Sequence, residues 1–269
     1  MKTKIIADLT SNHMGDMEII EAMIKTLAQN GVDVVKTQSW QSKSLRKDIQ
    51  DYETNYDYYL KHQLSDEDHW AVKEMCDQYG IEMLTTCFDL GRIEFLSSLG
   101  LKMIKVASSD STSHKMIERL VNNFDTVVVS TGGTEEDELN DLIKLCQGKN
   151  VIFLHCVSLY PCPFEKVNMD RMVALKKQGL RFGYSDHTMG TDAAKYAICL
   201  GAEYVEKHFT LNRALPGRDQ KMSTTIEEFS EIVEWANLIN KMKGVPNPIL
   251  SKQEHTFREN YIGKWGKND

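Results

Sequence analysis

The chain has 269 residues, with 39 acidic against 32 basic side chains and a formal net charge of −7 at pH 7. This length suits either two small domains or a single large one such as an α/β barrel. The acidic balance and the lack of a Lys/Arg stripe argue against nucleic acid as the main partner, so an anionic ligand needs a local basic pocket.

Short apolar runs rich in β-branched residues recur along the chain, each followed by a polar loop and an amphipathic segment. Eight strands are predicted: KIIAD (4–8), VDVVKTQ (32–38), EMLTTCF (82–88), MIKVASS (103–109), DTVVVST (125–131), VIFLHC (151–156), LRFGYSD (180–186) and EYVEKHF (203–209). Helices are predicted over 17–30, 65–79, 115–123, 135–147, 170–178, 191–200 and 226–242. Ser65 and Thr134, each followed by acidic residues, mark two of the helix starts.

This alternation of continuous apolar strands with helices predicts a parallel (β/α)8 TIM barrel. The alternative, an open doubly wound sheet, lacks its G-x-G-x-x-G signature after the first strand. We expect one barrel domain over residues 1–245 and a tail over residues 246–269.

The N-terminal sequence and the cysteines indicate the compartment. The apolar run in MKTKIIADLTSNH spans only four or five residues, too few for a signal peptide or a membrane span. The six cysteines show no C-x-x-C pairing, which is typical of reduced thiols. We therefore expect a cytoplasmic protein with no membrane partner.

Ionisable or hydroxyl side chains end almost every predicted strand, where TIM barrels carry their chemistry. Lys36 and Lys105 lie inside apolar strands, where an unpaired ammonium is costly to bury. Each needs either a carboxylate partner, Asp8 or Asp110, or an anionic phosphate or carboxylate ligand. Nearby hydroxyls and glycines favour the ligand: Ser108, Ser130, Ser185, Gly132 and Gly133.

Two histidines at the ends of neighbouring strands raise the question of a metal ion. The imidazoles of His187 and His208 can converge on one cation in a barrel. Three carboxylates are close in sequence: Asp186, Glu206 and Asp219. This donor set suits a divalent ion such as Mn²⁺, with His13 and His155 as rival ligands or as donors to the ligands. Two polar histidines with no metal remain the alternative interpretation.

Short motifs throughout the chain resemble those of the sialic acid (N-acetylneuraminate) synthase family, which includes synthases of legionaminic and pseudaminic acid. In chain order they are IADLTSNHMGD (6–16), VKTQ (35–38), LTTCFD (84–89), IKVASSD (104–110), VVSTGG (128–133), LHCVSLYPCPFEKVN (154–168), GYSDHTMG (183–190), EKHFTLNR (206–213) and LPGRD (215–219). The resemblance implies a TIM barrel that condenses phosphoenolpyruvate (PEP) with an open-chain N-acetylated hexose, such as N-acetylmannosamine, to a nonulosonic acid and phosphate.

The resemblance also implies roles for residues at matching positions. PEP would be held by Lys36, Thr86, Lys105, Ser108, Ser130, Ser158 and Ser185. The sugar would contact Gln38, Phe88, Tyr160 and Asp219. His187 and His208 would bind a divalent ion, usually Mn²⁺, with Mg²⁺ or Co²⁺ as alternatives. The catalytic groups would be Asp8, Lys36, Lys105 and Asp110, with Asp8 accepting a proton from water.

Some positions depart from the family pattern. Asp8 and Asp110 stand where glutamate is usual, which withdraws each carboxylate by about one bond length. Ser158 stands where asparagine is common, and Cys87 and Cys162 replace a proline and a small residue. These changes indicate an altered sugar side of the pocket.

Family members typically continue into a small antifreeze-like domain that supplies an arginine to a partner subunit. Residues 246–269 resemble the linker into that domain. We expect a homodimer, with a separate antifreeze-like chain as an alternative source of the arginine. Two other functions stay open: a non-catalytic barrel that binds PEP or a sugar, and another PEP-condensing synthase of 3-deoxy sugar acids.

Overall fold

The computed structural model describes residues 2–244 and 250–266, and in these ranges eight parallel strands close into one barrel. The strands follow one another around the barrel in chain order. They are β1 (Lys4–Asp8), β2 (Val34–Ser39), β3 (Glu82–Cys87), β4 (Met103–Val106), β5 (Thr126–Ser130), β6 (Val151–Cys156), β7 (Arg181–Asp186) and β8 (Tyr204–His208). The predicted TIM barrel is confirmed, and every predicted strand is present with small shifts at its ends.

Ten α-helices lie in the same described ranges. They are α1 (Met17–Gln29), α2 (Tyr52–His62), α3 (Asp66–Tyr79), α4 (Ile93–Ser98), α5 (His114–Asn123), α6 (Glu136–Leu145), α7 (Asp170–Lys177), α8 (Asp192–Leu200), α9 (Ile226–Met242) and α10 (Lys252–Tyr261). The seven predicted helices are confirmed. Ser65 caps α3 in a reciprocal capping box with Asp68, as its position predicts. Thr134 does not cap α6: its hydroxyl bonds to Ser111, and the helix begins after Glu135.

The strand pleat separates an apolar layer inside the barrel from a polar layer above it. The lower layer is a buried cluster of inward-facing side chains: Ile6, Val34, Leu84, Met103, Val128, Ile152, Leu154 and Tyr204. Side chains two residues further along a strand face the same way. Asp8, Lys36, Thr86, Lys105 and Ser130 follow members of this cluster by two residues, so they form the floor of the open end.

Strand register brings these polar residues side by side. Asp8 pairs with Lys36 on β2 and with His208 on β8. Thr86 pairs with Gln38 on one side and Lys105 on the other. Neighbours in register on adjacent strands lie side by side, offset along the barrel axis only by the strand tilt. A ring of ionisable side chains therefore encircles the C-terminal mouth.

One inward-facing glycine is required by close packing. A Cβ on Gly183 would lie 2.3 Å from the Tyr204 carbonyl oxygen and 2.6 Å from Leu154 Cδ2. Both distances are far below van der Waals contact, and the first atom belongs to the backbone of β8. Only glycine lets β7 approach β8 at this point.

The C-terminal region of the described chain contains one further helix. Every residue of α10 is exposed, including Phe257 and Tyr261. The predicted boundary near residue 245 falls at residues 245–249, outside the described residues, so the division into barrel and tail stays a prediction. Over residues 2–244 and 250–266, no helix is both long enough and apolar enough to cross a membrane.

Candidate active site

A cavity of about 640 Å³ opens at the C-terminal mouth of the barrel. Its volume is within the range typical of small-molecule sites. Fourteen of the predicted site residues line it: Asp8, Lys36, Gln38, Thr86, Phe88, Lys105, Ser108, Ser130, Ser158, Tyr160, Ser185, His187, His208 and Asp219. The barrel thus collects, from all eight strands and the loops that follow them, residues far apart in the sequence.

Asp110 is the exception among the predicted residues. Its carboxylate accepts hydrogen bonds from Ser109 and Ser113 and lines a neighbouring pocket instead. Residues 108–110 form a 3₁₀ turn directly after β4, and successive side chains in such a turn point about 120° apart. Ser108 therefore faces the central cavity while Asp110 faces away from it.

A network of buried charges forms the floor of the cavity. Lys36 Nζ lies 2.6 Å from Asp8 and 3.5 Å from Glu206, and Lys105 Nζ lies 3.7 Å from Glu206. Lys105 also donates a 2.7 Å hydrogen bond to Ser130. The carboxylate partner proposed from sequence is thus present for Lys36, whereas the one near Lys105 is Glu206 and not Asp110.

Mutual attraction keeps this network charged despite its burial. Burial by itself raises the pKa of Asp8, but Lys36, His208 and the backbone N–H of Thr10 together outweigh it and hold the pKa below the ordinary value. Glu206 behaves alike, because Lys105 and Lys36 lower its pKa more than burial raises it. Burial dominates at Lys105 and lowers its pKa below the ordinary value. Lys105 is therefore the ammonium that gains most from an incoming anion.

Hydroxyl groups surround the space next to the two lysines. Gly132 N donates a 3.0 Å hydrogen bond to Ser108 Oγ. A Cβ at Gly132 would lie 2.4 Å from Ser158 Oγ and 2.8 Å from Ser108 Oγ, so any larger residue would displace the hydroxyls that converge here. Ser185 donates to Glu206 at 3.1 Å and completes the floor. A cavity with this lining suits a phosphate or carboxylate group.

The two predicted metal ligands lie together on one side of the cavity. The rings of His187 and His208 are 5.2 Å apart between centroids; His187 is buried, and the His208 side chain is 12% exposed at the cavity. The Val157 carbonyl oxygen accepts a 2.9 Å hydrogen bond from His187 Nδ1, so Nε2 carries the lone pair when the ring is neutral. Burial lowers the pKa of His208, and its Nδ1 has no hydrogen-bond partner in the described chain.

These features fit a cation bound by two imidazoles. Burial favours the neutral ring of His208, whose Nε2 lies 3.9 Å from Asp8 Oδ2. Burial also lowers the pKa of His187, but Cys156, the Val157 carbonyl and Glu206 together raise it above the ordinary value, so a cation bound there would displace a proton from His187. No group of three or more His, Cys, Asp or Glu side chains within residues 2–244 and 250–266 is arranged to hold a metal. The protein thus supplies two nitrogens, and the remaining positions are open to water or substrate oxygens.

Several other polar residues at this end of the barrel lie outside the cavity lining. Asp186 and Lys207 form a buried 2.7 Å ion pair on the outer side of the barrel. His155 Nε2 lies 2.7 Å from the Val167 carbonyl oxygen, and its ring stacks on Tyr184. His13 accepts a hydrogen bond from Gly15 N. Strand alternation puts the first three of these out of phase with the inward-facing residues, so His155 and Asp186 do not reach the metal side.

Glu206, considered from sequence only as a carboxylate near the histidines, and Cys156 also line the cavity. Glu206 faces inward because it lies two residues before His208 on β8, a spacing visible in the sequence. Cys156 ends β6, and its Sγ lies 3.8 Å from His187 Nδ1. Burial raises the pKa of this thiol, but His187, Ser108 and Lys105 together bring the pKa below the ordinary value. Cys87 and Cys162 are buried outside the cavity lining.

Comparison with known proteins agrees with this site. The profile of the NeuB family matches residues 23–247. The chain belongs to the NeuB family. It is 34% identical over 273 residues to the N,N'-diacetyllegionaminic acid synthase of Campylobacter jejuni, covering 94% of this chain and 81% of that protein. It is 27% identical to the human N-acetylneuraminate-9-phosphate synthase, covering 97% of this chain and 76% of that protein.

The fold agrees with solved structures as well. The sialic acid synthetase of Leptospira borgpetersenii, solved in complex with citrate, superimposes with a TM-score of 0.89 at 25% identity, covering 98% of this chain and 94% of that chain. NeuB-family proteins are synthases that condense PEP with an amino sugar to form a nonulosonic acid. This chain is an enzyme of that class. Synthases of the family are generally metal-dependent.

Proposed function

We propose that the protein condenses PEP with an open-chain N-acetylated hexose, N-acetylmannosamine or a related amino sugar, to give a nonulosonic acid and phosphate. The observation that carries this proposal is the pairing of two buried ammonium groups with two imidazoles across one cavity. An anionic substrate and a carbonyl substrate can then meet between them. The family membership supports the same reaction class.

PEP would lie on the lysine side of the cavity. Lys105 and Lys36 attract its phosphate and carboxylate, and hydroxyls from neighbouring strand ends donate to the same oxygens: Thr86, Ser108, Ser130, Ser158 and Ser185. Ammonium groups already in place stabilise the negative charge of departing phosphate without reorganisation. The loss of phosphate is therefore favoured in the same pocket that binds PEP.

The acceptor would lie between the histidines and the aromatic wall. Tyr160 covers the His187 ring at 4.2 Å between centroids, and Gln38, Phe88 and Asp219 complete the sugar side. A divalent cation held by His187 and His208, Mn²⁺ in our proposal with Mg²⁺ or Co²⁺ as alternatives, supplies Lewis-acid polarisation of the acceptor carbonyl when bound. The rings orient the acceptor above the bound PEP.

Asp8 would act as the general base that accepts a proton from water. Attack by PEP C3 on the aldehyde carbon forms the C–C bond and leaves positive charge at C2, where water adds before the C–O bond to phosphate breaks. The lowered pKa of Asp8 keeps the carboxylate ionised at neutral pH, so its oxygens are free to accept the proton of that water, as a weak base. Asp110 has no part in this step, because its carboxylate lies in the neighbouring pocket. The homodimer and the separate antifreeze-like chain stay predictions.

Phosphate release from PEP tests this proposal. With Mn²⁺ and N-acetylmannosamine or a diacetamido-trideoxyhexose, we expect release that depends on both acceptor and metal. Asp8→Asn should lower kcat by about 10²-fold or more while PEP still binds, since general base catalysis contributes on that order. The exposed Asp141→Asn serves as the control and should release phosphate as the wild type does. Tight PEP binding with no release from any acceptor would contradict the proposal.

A further inference from the structure

Helix α2 follows β2 at the open end of the barrel, and burial in the core does not explain its packing. Its sequence YETNYDYYLKH contains four tyrosines, yet His62 is its only buried residue. Helices in proteins gain most of their stability from packing an apolar face, so α2 needs contacts of another kind. Two of its tyrosines, Tyr58 and Tyr59, supply them.

Contacts at two places fix α2 to the barrel. The Trp40 indole N–H donates a 3.1 Å hydrogen bond to the Tyr59 carbonyl oxygen, and the two rings meet edge to face at 5.4 Å between centroids. The Trp40 ring also contacts Phe88, at 6.1 Å. At the C-terminal end of the helix, a Cβ on Gly15 would lie 2.8 Å from the Lys61 carbonyl oxygen, so the loop after β1 packs closely there. The helix therefore offers a fixed support to its neighbours.

The loop after β8 reaches this support through Arg218. Its guanidinium carbon lies 3.7 Å from the centroid of the Tyr58 ring, and Nη1 donates a 2.9 Å hydrogen bond to Asn55 Oδ1. Asn55 and Tyr58 are three residues apart and share one face of the helix, so a single guanidinium contacts both. Asn55 Nδ2 donates to the Gln50 carbonyl oxygen at 3.0 Å, which leaves Oδ1 to accept from Arg218.

Arg218 adjoins Asp219, which lines the central cavity on its sugar side. The main chain is held after Asp219, because its carbonyl oxygen accepts hydrogen bonds from Ser223 N at 3.0 Å and from Ser223 Oγ at 2.7 Å. Before Asp219 the chain is exposed over residues 216–218, and Gly217 has a φ of +148°, which favours glycine. The contact of Arg218 with α2 therefore holds the exposed side of this segment.

The charges of the contact leave the Asp219 carboxylate available to a ligand. Both partners of Arg218 are neutral, and Arg218, Asn55 and Tyr58 lie outside the lining of the central cavity. Burial raises the pKa of Tyr58, a hydrogen bond with Ser11 lowers it, and the nearby Asp219 carboxylate raises it again, with a net rise. Asp219 thus lies close to this contact, while Arg218 acts from outside the cavity.

We infer that Arg218 is a positioning residue for the acceptor: by holding the loop after β8 against Tyr58 and Asn55, it fixes the place of the Asp219 carboxylate in the cavity. The inference rests on the proposed condensation, in which Asp219 contacts the sugar, and adds a residue that touches neither substrate. Misplacing a substrate-contacting group by about 1 Å can cost on the order of 10²-fold in rate. The exposed helix α2 thereby gains a role in acceptor binding.

Acceptor kinetics of Arg218→Ala test the inference. With the acceptor that drives phosphate release by the wild type, N-acetylmannosamine or a diacetamido-trideoxyhexose, we expect the acceptor KM to rise about 5- to 50-fold. The KM for PEP and kcat should stay within about threefold, because the loss concerns binding of one substrate. Arg218→Lys keeps a cation over the ring and should recover part of the loss. Arg119→Ala, which removes an exposed arginine paired with Glu94 on the outer helices, should behave as the wild type.

Further variants identify the contacts through which Arg218 acts. Tyr58→Phe keeps the ring face and should retain the wild-type acceptor KM, whereas Tyr58→Leu should reproduce the rise. In an Asp219→Ala background, Arg218→Ala should raise the acceptor KM no further, since its effect passes through Asp219. Amide hydrogen exchange in segment 211–223 should be faster in Arg218→Ala than in the wild type or Arg119→Ala, and this readout needs no activity.

The possible results separate this inference from the proposed condensation. An unchanged acceptor KM in Arg218→Ala overturns the inference, as do equal rises in the KM values of PEP and acceptor, or a further loss of full size in the Asp219→Ala background. Unaltered exchange in segment 211–223 overturns it as well. If the wild type releases no phosphate with any acceptor, the condensation is contradicted, and faster exchange in Arg218→Ala alone still supports the hold of Arg218 on the loop.

Discussion

At the scale of single residues, the two buried lysines of the cavity are not equivalent. Lys36 lies 2.6 Å from Asp8, whereas the carboxylate near Lys105 lies 3.7 Å away. The Asp8 and Glu206 charges raise the pKa of Lys36 above its ordinary value despite burial, and burial lowers the pKa of Lys105. Lys105 is the less neutralised charge, so it should dominate attraction of the PEP phosphate.

Substitution of Lys105 by methionine should weaken PEP binding strongly. Removing one charge-assisted partner from a buried anion site costs about 1.5–3 kcal/mol, so we expect the PEP dissociation constant to rise by about 10- to 100-fold. Isothermal titration of PEP into the folded variant measures this change. A constant within twofold of the wild type would assign Lys105 to internal ion pairing alone.

Lys207 provides the matched control for that substitution. It is as buried as Lys105 and forms a 2.7 Å ion pair with Asp186, but both side chains lie on the outer side of the barrel. Lys207→Met should leave PEP affinity unchanged and lower the free energy of unfolding by about 3–5 kcal/mol, because it strands a buried carboxylate. The two variants thus separate a lysine that binds substrate from one that stabilises the fold.

At the scale of secondary structure, the sequence predicted the strands better than the helices. Strands buried on both faces appear as continuous apolar runs, and all eight were recognisable for that reason. The structure adds α2, α4 and α10. Six residues are too few to show a helical period in α4, only His62 is buried in α2, and α10 buries no residue. Without an apolar stripe, periodicity gives no signal.

The part of the site formed by residues at the C-terminal ends of the strands could be predicted from the sequence. Fourteen residues fell where the barrel rule places them, because register and pleat are regular. Asp110 did not, since the 3₁₀ turn after β4 changes the direction of its side chain, which the sequence pattern does not encode. Placing Asp186 and Lys207 requires knowing which residues of each strand face inward. That alternation can be assigned only once one inward-facing residue, such as His208, is known.

The contact between β7 and β8 predicts the effect of one glycine substitution. Gly183→Ala would place a methyl group 2.3 Å from the Tyr204 carbonyl oxygen, so β7 must shift and lose strand pairing. We expect the free energy of unfolding to fall by about 1–3 kcal/mol or more, measured by urea denaturation. Gly91→Ala is the control, because its Cβ would lie 3.4 Å from the nearest atom, Asp89 Oδ1. Equal losses in both variants would argue against close packing as the reason for Gly183.

At the scale of the whole molecule, the barrel separates two kinds of buried ionisable group. Those of the cavity floor compensate one another in charge, as Lys36, Lys105, Asp8 and Glu206 do. Other ionisable groups are buried in their neutral form, and they are compatible with the folded state only while they remain unprotonated. His13 in the loop after β1 belongs to the second kind, because burial, and next the nearby His62, lower its pKa to about 4.

The folded state therefore resists protonation of His13, and stability should depend on pH accordingly. In the unfolded chain a histidine takes up its proton near its ordinary pKa of about 6.5. Between about pH 6.5 and 4 the unfolded state binds more protons than the folded state. The contribution of His13 to the free energy of unfolding is therefore fully present above this window and is lost as the pH falls through it. A shift of this size corresponds to about 3 kcal/mol.

His13→Asn removes the titrating group and keeps an acceptor for the Gly15 N–H. We expect the variant to lose less stability than the wild type as the pH falls from 7 to 4, with a difference of about 2–3 kcal/mol in urea denaturation at the two pH values. The exposed His114→Asn controls for removal of a histidine as such and should follow the wild-type profile. Parallel profiles for His13→Asn and the wild type would mean that acid unfolding begins elsewhere, at the paired carboxylates of the cavity floor.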